Sequence, residues 1–207
     1  AVLEFDNNIK RAQSRINETA EDGLSNGLAE FIAKEELDQD RGFWWSPAGS
    51  RIAFVEADSR HVPKYSIVHQ GKDTIDVEEH RYPFAGKANA HVRLGVADVA
   101  TGGITWMDLG EDPDIYLARV DWRPGNVLTA QVLSRDQESL QLLSFNGETG
   151  SSRVLLDERR QPWINLHSDL RYLESGEFLW SSEASGFRHL SLHTSTGAQI
   201  RQLTGGD

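Results

Sequence analysis

Apolar and polar residues alternate with a period of two along most of this chain, in short runs broken by Gly, Pro, Asn, Asp and Ser. That pattern predicts strands, because successive strand side chains point to opposite faces of a sheet. Three of the runs are His91 to Ala97, Leu140 to Phe145 and Arg188 to His193. Each leads into a turn that ends in Thr-Gly: Asp98-Val99-Ala100-Thr101-Gly102, Asn146-Gly147-Glu148-Thr149-Gly150 and Thr194-Ser195-Thr196-Gly197. A second strand follows each turn, at Ile104 to Leu109, Arg153 to Asp157 and Gln199 to Leu203. Gly at the end of such a turn supplies the positive φ that closes a hairpin, and Thr or Asn side chains satisfy its backbone groups.

The turns recur about every 47 residues, the length of a four-stranded propeller blade that buries its faces only against its neighbours. Trp45-Ser46-Pro47 and Trp122-Arg123-Pro124-Gly125, each opening a strand, mark the same unit a second time. An all-β sandwich would carry similar hairpins without keeping so constant a period. The expected fold is therefore all-β, with about four propeller blades in the chain.

Two inserts interrupt the repeat. Leu24 to Leu37 reads as a short helix, with Leu28, Ala29, Phe31 and Ile32 on one face and Ser25 or Asn26 as the N-cap. It carries Glu35 and Glu36 at its C-terminal end, where the helix dipole disfavours negative charge. Val62 to Asn89 is too long for a blade connection. Its runs Tyr65 to Val68 and Ile75 to Tyr82, joined by Gln70-Gly71-Lys72-Asp73, predict a projecting β-hairpin arm. Alternation within it places Tyr65, Ile67, Ile75 and Val77 on one apolar face, against Lys64, Ser66, Asp76 and Glu78 on the other.

Composition narrows the chemistry. The 21 Lys and Arg are outnumbered by 32 Asp and Glu, for a formal charge of −11, which argues against a nucleic-acid groove and favours cationic ligands. No run approaches the length of a membrane span. With no Cys there is neither a disulfide nor a thiolate metal site, and that absence names no compartment. The seven His residues show no metalloprotease spacing. His189 and His193 lie in a predicted strand, about 13 Å apart at the usual rise, too far to share a metal. No Gly-x-Ser-x-Gly occurs, so a hydrolase nucleophile elbow is absent from these residues.

Glu35 and Glu36 then become the main candidates. Adjacent carboxylates repel, and water or a cation must relieve them. A glycosidase pair is a poor reading, since those carboxyls face each other across roughly 5–9 Å. An ammonium fits better, with three donors for two charged acceptors. The run Glu35-Glu36-Leu37-Asp38-Gln39-Asp40-Arg41-Gly42-Phe43-Trp44-Trp45-Ser46-Pro47-Ala48-Gly49 closely resembles the propeller domain of the dipeptidyl peptidase IV family, prolyl oligopeptidase-class serine peptidases.

The resemblance covers the chain from Leu28 to Gly205 and carries several expectations. Residues 1–207 would be part of an eight-bladed N-terminal propeller, and a C-terminal α/β-hydrolase domain after Asp207 would hold the Ser, Asp and His. No catalytic residue falls in this chain, and neither cofactor nor metal is implied. Glu35 and Glu36 would bind the free amino terminus of a peptide from which the parent removes X-Pro or X-Ala dipeptides. The loop Gln161-Pro162-Trp163-Ile164-Asn165 would reach toward that substrate through Trp163 and Asn165. The Val62–Asn89 arm would pair across the two-fold axis of a homodimer. The alternative is a free-standing, non-catalytic propeller that binds a peptide or a protein.

Overall fold

The structure is a computed structural model that describes residues 22–71 and 75–206. These fold into three antiparallel sheets and one separate hairpin. The first sheet contains β1 (Leu24–Asn26), β2 (Phe43–Trp45), β3 (Arg51–Asp58), β6 (His91–Asp98) and β7 (Ile104–Trp106). Both β1 and β2 pair with β3, at its two ends, so one edge of this sheet is a strand interrupted by an insert. The second sheet runs in chain order through β8 (Ile115–Arg123), β9 (Val127–Ser134), β10 (Ser139–Phe145) and β11 (Ser152–Arg159). The third does the same through β12 (Arg171–Tyr172), β13 (Phe178–Ser182), β14 (His189–His193) and β15 (Gln199–Gln202).

Among the described residues three blade sheets are present, of the about four that the period predicts for the chain. Residues 1–21 lie outside the described residues. None of the sheets closes on itself, as expected for part of a larger propeller.

The sheets stack face to face through two apolar layers. Leu94, Val96 and Met107 of the first sheet meet Leu117, Leu128 and Phe145 of the second. On the other face of the second sheet, Tyr116, Leu133 and Leu142 meet Phe178 and Trp180 of the third. Strand β8 serves both layers with a change of parity. Its register against β9 shifts between Leu117 and Arg119, so Ala118 is an extra, bulged residue. Leu117 before the bulge and Val120 after it therefore face the same layer.

The repeated Thr-Gly turns have a role beyond closing hairpins. Asp98 accepts from the backbone N–H groups of Ala100 and Thr101, and Asn146 from those of Glu148 and Thr149. The glycines that follow then press against the preceding sheet. A Cβ on Gly150 would lie 2.0 Å from the Trp106 carbonyl oxygen, and one on Gly197 1.9 Å from that of Leu155. Both residues also hold positive φ, at 77° and 99°. Constant spacing of the turns is thus the spacing at which each blade rim touches the one before it.

The hairpin is the expected arm, formed by β4 (Lys64–His69) and β5 (Asp76–Arg81), with residues 72–74 of its tip outside the described set. Its faces differ from the expectation. Tyr65 lies opposite His80, Ile67 opposite Glu78 and Val68 opposite Val77. Odd positions of β4 therefore share a face with even positions of β5, which separates Val77 from Tyr65 and Ile67. Ile75 lies just outside β5 and is exposed. The Tyr65–Ile67 face is also polar, for Glu78 bridges His69 at 3.0 Å and His80 at 2.7 Å. At the arm's root, Arg81 donates to the carbonyls of Arg60 and Val62 and pairs with Asp22.

Replacing Gly150 or Gly197 with Ala combines a left-handed backbone with overlap against a neighbouring main chain. We expect each substitution to cost about 2–4 kcal/mol, read as a lower midpoint in urea unfolding. Gly125, whose added Cβ would meet nothing, tests the backbone contribution alone and is expected to lose less as Ala.

Candidate functional site

The insert between β1 and β2 contains α1 (Phe31–Glu36), and its boundaries correct the expected helix. Leu24–Asn26 is strand, paired with Glu56 to Asp58, so neither Ser25 nor Asn26 caps the helix. Glu30 does, accepting from the N–H groups of Ile32 at 2.8 Å and Ala33 at 2.6 Å. Burial pushes its carboxyl up, against the pull of those two backbone bonds. Glu lies outside the short polar side chains usually found at this position, which is why the sequence pattern misplaced the start. The buried side is Ala33 with Leu37, whereas Leu28 is exposed.

Glu35 and Glu36 are both exposed at the end of this helix. Among the described residues neither carboxylate takes part in a hydrogen bond or an ion pair. The backbone beside them is firmly held. Leu37 closes the helix, Asp38 turns the chain at φ 55°, and the Gln39 N–H donates to the Ala33 carbonyl. Gln39 is 7% exposed, and its Nε2 donates to the carbonyls of Leu117 and Ala118 at 2.5 and 2.6 Å. Those carbonyls belong to the β8 bulge, where the ladder is broken and backbone groups need other partners. Arg119 Nη1 reaches back to the Leu37 carbonyl at 2.5 Å. At its other end α1 rests Phe31 edge-on against Tyr82 of the arm's root, with ring centroids 5.2 Å apart.

Trp163 and Asn165 lie in the segment joining β11 to β12. The segment is pinned from below, since Arg160 and Ile164 donate backbone N–H groups to the carbonyls of Glu138 and Gln137. Ile164 is buried in the same cluster as Leu37, with Ile32 packed against it, so both candidate segments rest on one core. Trp163 is 55% exposed and donates from Nε1 to Asn165 Oδ1 at 3.1 Å. Asn165 Nδ2 donates in turn to Glu183 Oε2 at 2.8 Å. Arg160 and Arg188 also donate to this carboxylate; the Asn165 hydrogen bond first, and then Arg188 and Arg160, hold its carboxyl below the usual range.

Beneath the segment is a small cavity of about 10 Å³ lined by Glu158, His167, Ser181 and Glu183, among others. His167 is buried against the edge of Trp180, and its Nδ1 accepts the Asp169 N–H at 3.3 Å. Its Nε2 has no partner among the described residues. Gln39, Arg119, Glu183 and His167 carry no spacing signal in the sequence; three-dimensional neighbours alone bring them to these positions.

Residues 5–207 match the family described as the dipeptidyl peptidase IV (DPP IV) N-terminal region. The chain belongs to that family. It is 27% identical to dipeptidyl peptidase 8 of Mus musculus over 91% of this chain and 28% of the relative. It is likewise 27% identical to the inactive dipeptidyl peptidase 10 of Rattus norvegicus over 80% of this chain and 22% of the relative. Among solved structures, Porphyromonas gingivalis dipeptidyl peptidase 4 shares the fold, with a TM-score of 0.83 and 24% identity over 89% of this chain and 27% of that one. The chain thus spans about a quarter of the length of the relatives it matches.

One consequence for this DPP IV N-terminal region follows from His167. Burial lowers its pKa from 6.5, so the folded state favours the neutral ring. A depressed pKa contributes stability above the unfolded value that is lost as pH falls through the folded one. His167→Gln cannot be protonated and is expected to lose less stability between pH 7.5 and 5 than the unsubstituted chain. Urea unfolding at the two pH values measures this, and equal losses would show that His167 does not set the slope.

Proposed function

We propose that this chain receives the amino terminus of a peptide in a dipeptidyl peptidase IV-type serine peptidase, with Glu35 and Glu36 holding the α-ammonium. The observation that carries the reading is a pair of adjacent, exposed carboxylates without partners among the described residues, on a helix end tied to the β8 bulge. An ammonium offers three donors, and two fixed carboxylates can accept them as charge-assisted hydrogen bonds. Such a pair works by distance. Fixing the amino terminus lets a bond two residues along reach a nucleophile, which is catalysis by positioning.

In this reading the parent releases X-Pro or X-Ala dipeptides. Residues 1–207 form part of its N-terminal propeller, and Ser, His and Asp come from a C-terminal α/β-hydrolase domain. Trp163 and Asn165 face the substrate from the third sheet's entry loop. A second reading, a non-catalytic propeller that binds a peptide or a protein partner, is supported by the match to a relative named inactive. A Gly-x-Ser-x-Gly downstream of Asp207, followed by Asp and His, decides between them.

The test uses the full-length protein. Glu35→Gln or Glu36→Gln each removes a charge-assisted contact of about 1.5–3 kcal/mol, so kcat/KM for a free-amino-terminus X-Pro substrate is expected to fall by roughly ten- to a hundredfold. Amino-terminal acetylation of the substrate is expected to reproduce the loss. Wild-type kinetics in both variants would reduce the pair to a solvated helix end.

The arm is proposed to pair with a second copy of the chain, supported by the exposed Tyr65, Val68 and Val77. Charge introduced by Val68→Asp is expected to lower the dimer fraction in sedimentation, and an unchanged fraction would remove the arm from the interface.

A further inference from the structure

Glu183, at the β13–β14 turn, accepts hydrogen bonds from Asn165, Arg160 and Arg188. Its Oε2 accepts Asn165 Nδ2 at 2.8 Å and Arg160 Nη1 at 3.2 Å. Its Oε1 accepts Arg188 Nη2 at 3.0 Å and Nε at 3.2 Å, and its backbone carbonyl takes Arg160 Nη1 again at 2.6 Å. Two guanidinium groups neutralise one carboxylate whose side chain is 20% exposed. Most of the donors come from elsewhere: Asn165 and Arg160 lie in or beside the β11–β12 segment. From Asn165 the chain of bonds continues to the indole of Trp163.

That indole is large, apolar and 55% exposed. A single Nε1 bond to Asn165 sets its direction, and Asn165 is itself oriented by Glu183. Neutral side chains at the surface would exchange such bonds with water, since a neutral hydrogen bond is worth little net. A carboxylate held by two Arg residues is a much stiffer base for the same relay. A cavity with room for about one water lies directly behind it. The buried His167, whose Nε2 has no partner among the described residues, and the buried Ile164 both line this cavity.

We propose that Glu183 is a positioning residue that holds the Trp163–Asn165 segment in one conformation at the peptide-binding mouth. The proposal rests on the reading of that segment as substrate-facing, and it adds the group that fixes it. Glu183 acts through Asn165 and Trp163 and touches no peptide itself.

The experiment uses the full-length protein with Glu183→Gln, Trp163→Ala, Trp163→Phe and the double variants. Acrylamide quenching without peptide reads Trp163 directly, from the difference between each protein and its Trp163→Phe counterpart. Glu183→Gln is expected to make this indole more quenchable and to raise KM for an X-Pro substrate about tenfold, with kcat changed by less than about twofold. The double variant Glu183→Gln/Trp163→Ala is expected to have the KM of Trp163→Ala alone, since both break one relay. Asn165→Ala cuts the relay one step further on and serves where Glu183→Gln fails to fold.

Unchanged Trp163 quenching in Glu183→Gln, or fully additive KM effects, overturns the proposal. Increased quenching with an unchanged KM overturns the substrate-facing reading on which it rests, while the hold of Glu183 on the segment stands. Loss of the amino-terminus role of Glu35 and Glu36 would leave the quenching result untouched, so the two failures are distinguishable.

Discussion

Gln39 and the β8 bulge form the contact on which the placement of the Glu pair depends. An antiparallel ladder that skips a residue leaves backbone groups to be satisfied elsewhere, and here the carbonyls of Leu117 and Ala118 take the amide of a buried side chain from the neighbouring sheet. Arg119, the next residue, returns the contact to the Leu37 carbonyl. A helix of six residues has little stability of its own, and its end would fray in isolation. Bonded on one side to β8 and packed through Phe31 on the arm's root, it becomes a fixed mount for two carboxylates.

The stack of sheets supplies the rest of the frame. Each blade buries one face against the next, and the turn glycines set how closely the rims approach. Because Leu37 and Ile164 sit in the same cluster, the helix and the Trp163 segment are referenced to one core although they are far apart in sequence. Packing beneath anchors the backbone of both segments, and solvent-facing carboxylates can stay unpaired above it at small cost.

The parts legible in the sequence are those governed by local periodicity. Strands, Thr-Gly turns and the existence of both inserts follow from alternation and turn chemistry, and the observed strands differ from the expected ones by only a few residues at their ends. What was not legible depends on register or on distant partners. A pairing that sets odd positions opposite even ones split the arm's apolar residues between two faces. Glu30 capped α1 from outside the usual residue set, while Ser25 and Asn26 went to β3. Gln39, Arg119 and Glu183 look like ordinary polar loop and strand residues until the fold brings their partners to them. Glu35 and Glu36 stand out in the sequence through negative charge at a helix C-terminus and, above all, through their spacing to Trp44-Trp45, which carries the family resemblance.

The account's central claim is that the bulge-mounted pair holds a peptide's amino terminus. A crystal structure of the full-length protein with a bound peptide that has a free amino terminus tests it most directly. The expected result places the α-ammonium nitrogen within about 3 Å of a carboxylate oxygen of both Glu35 and Glu36, with Gln39 still bonded to Leu117 and Ala118. A peptide bound with its amino terminus elsewhere, and the two carboxylates still in water, would contradict the claim.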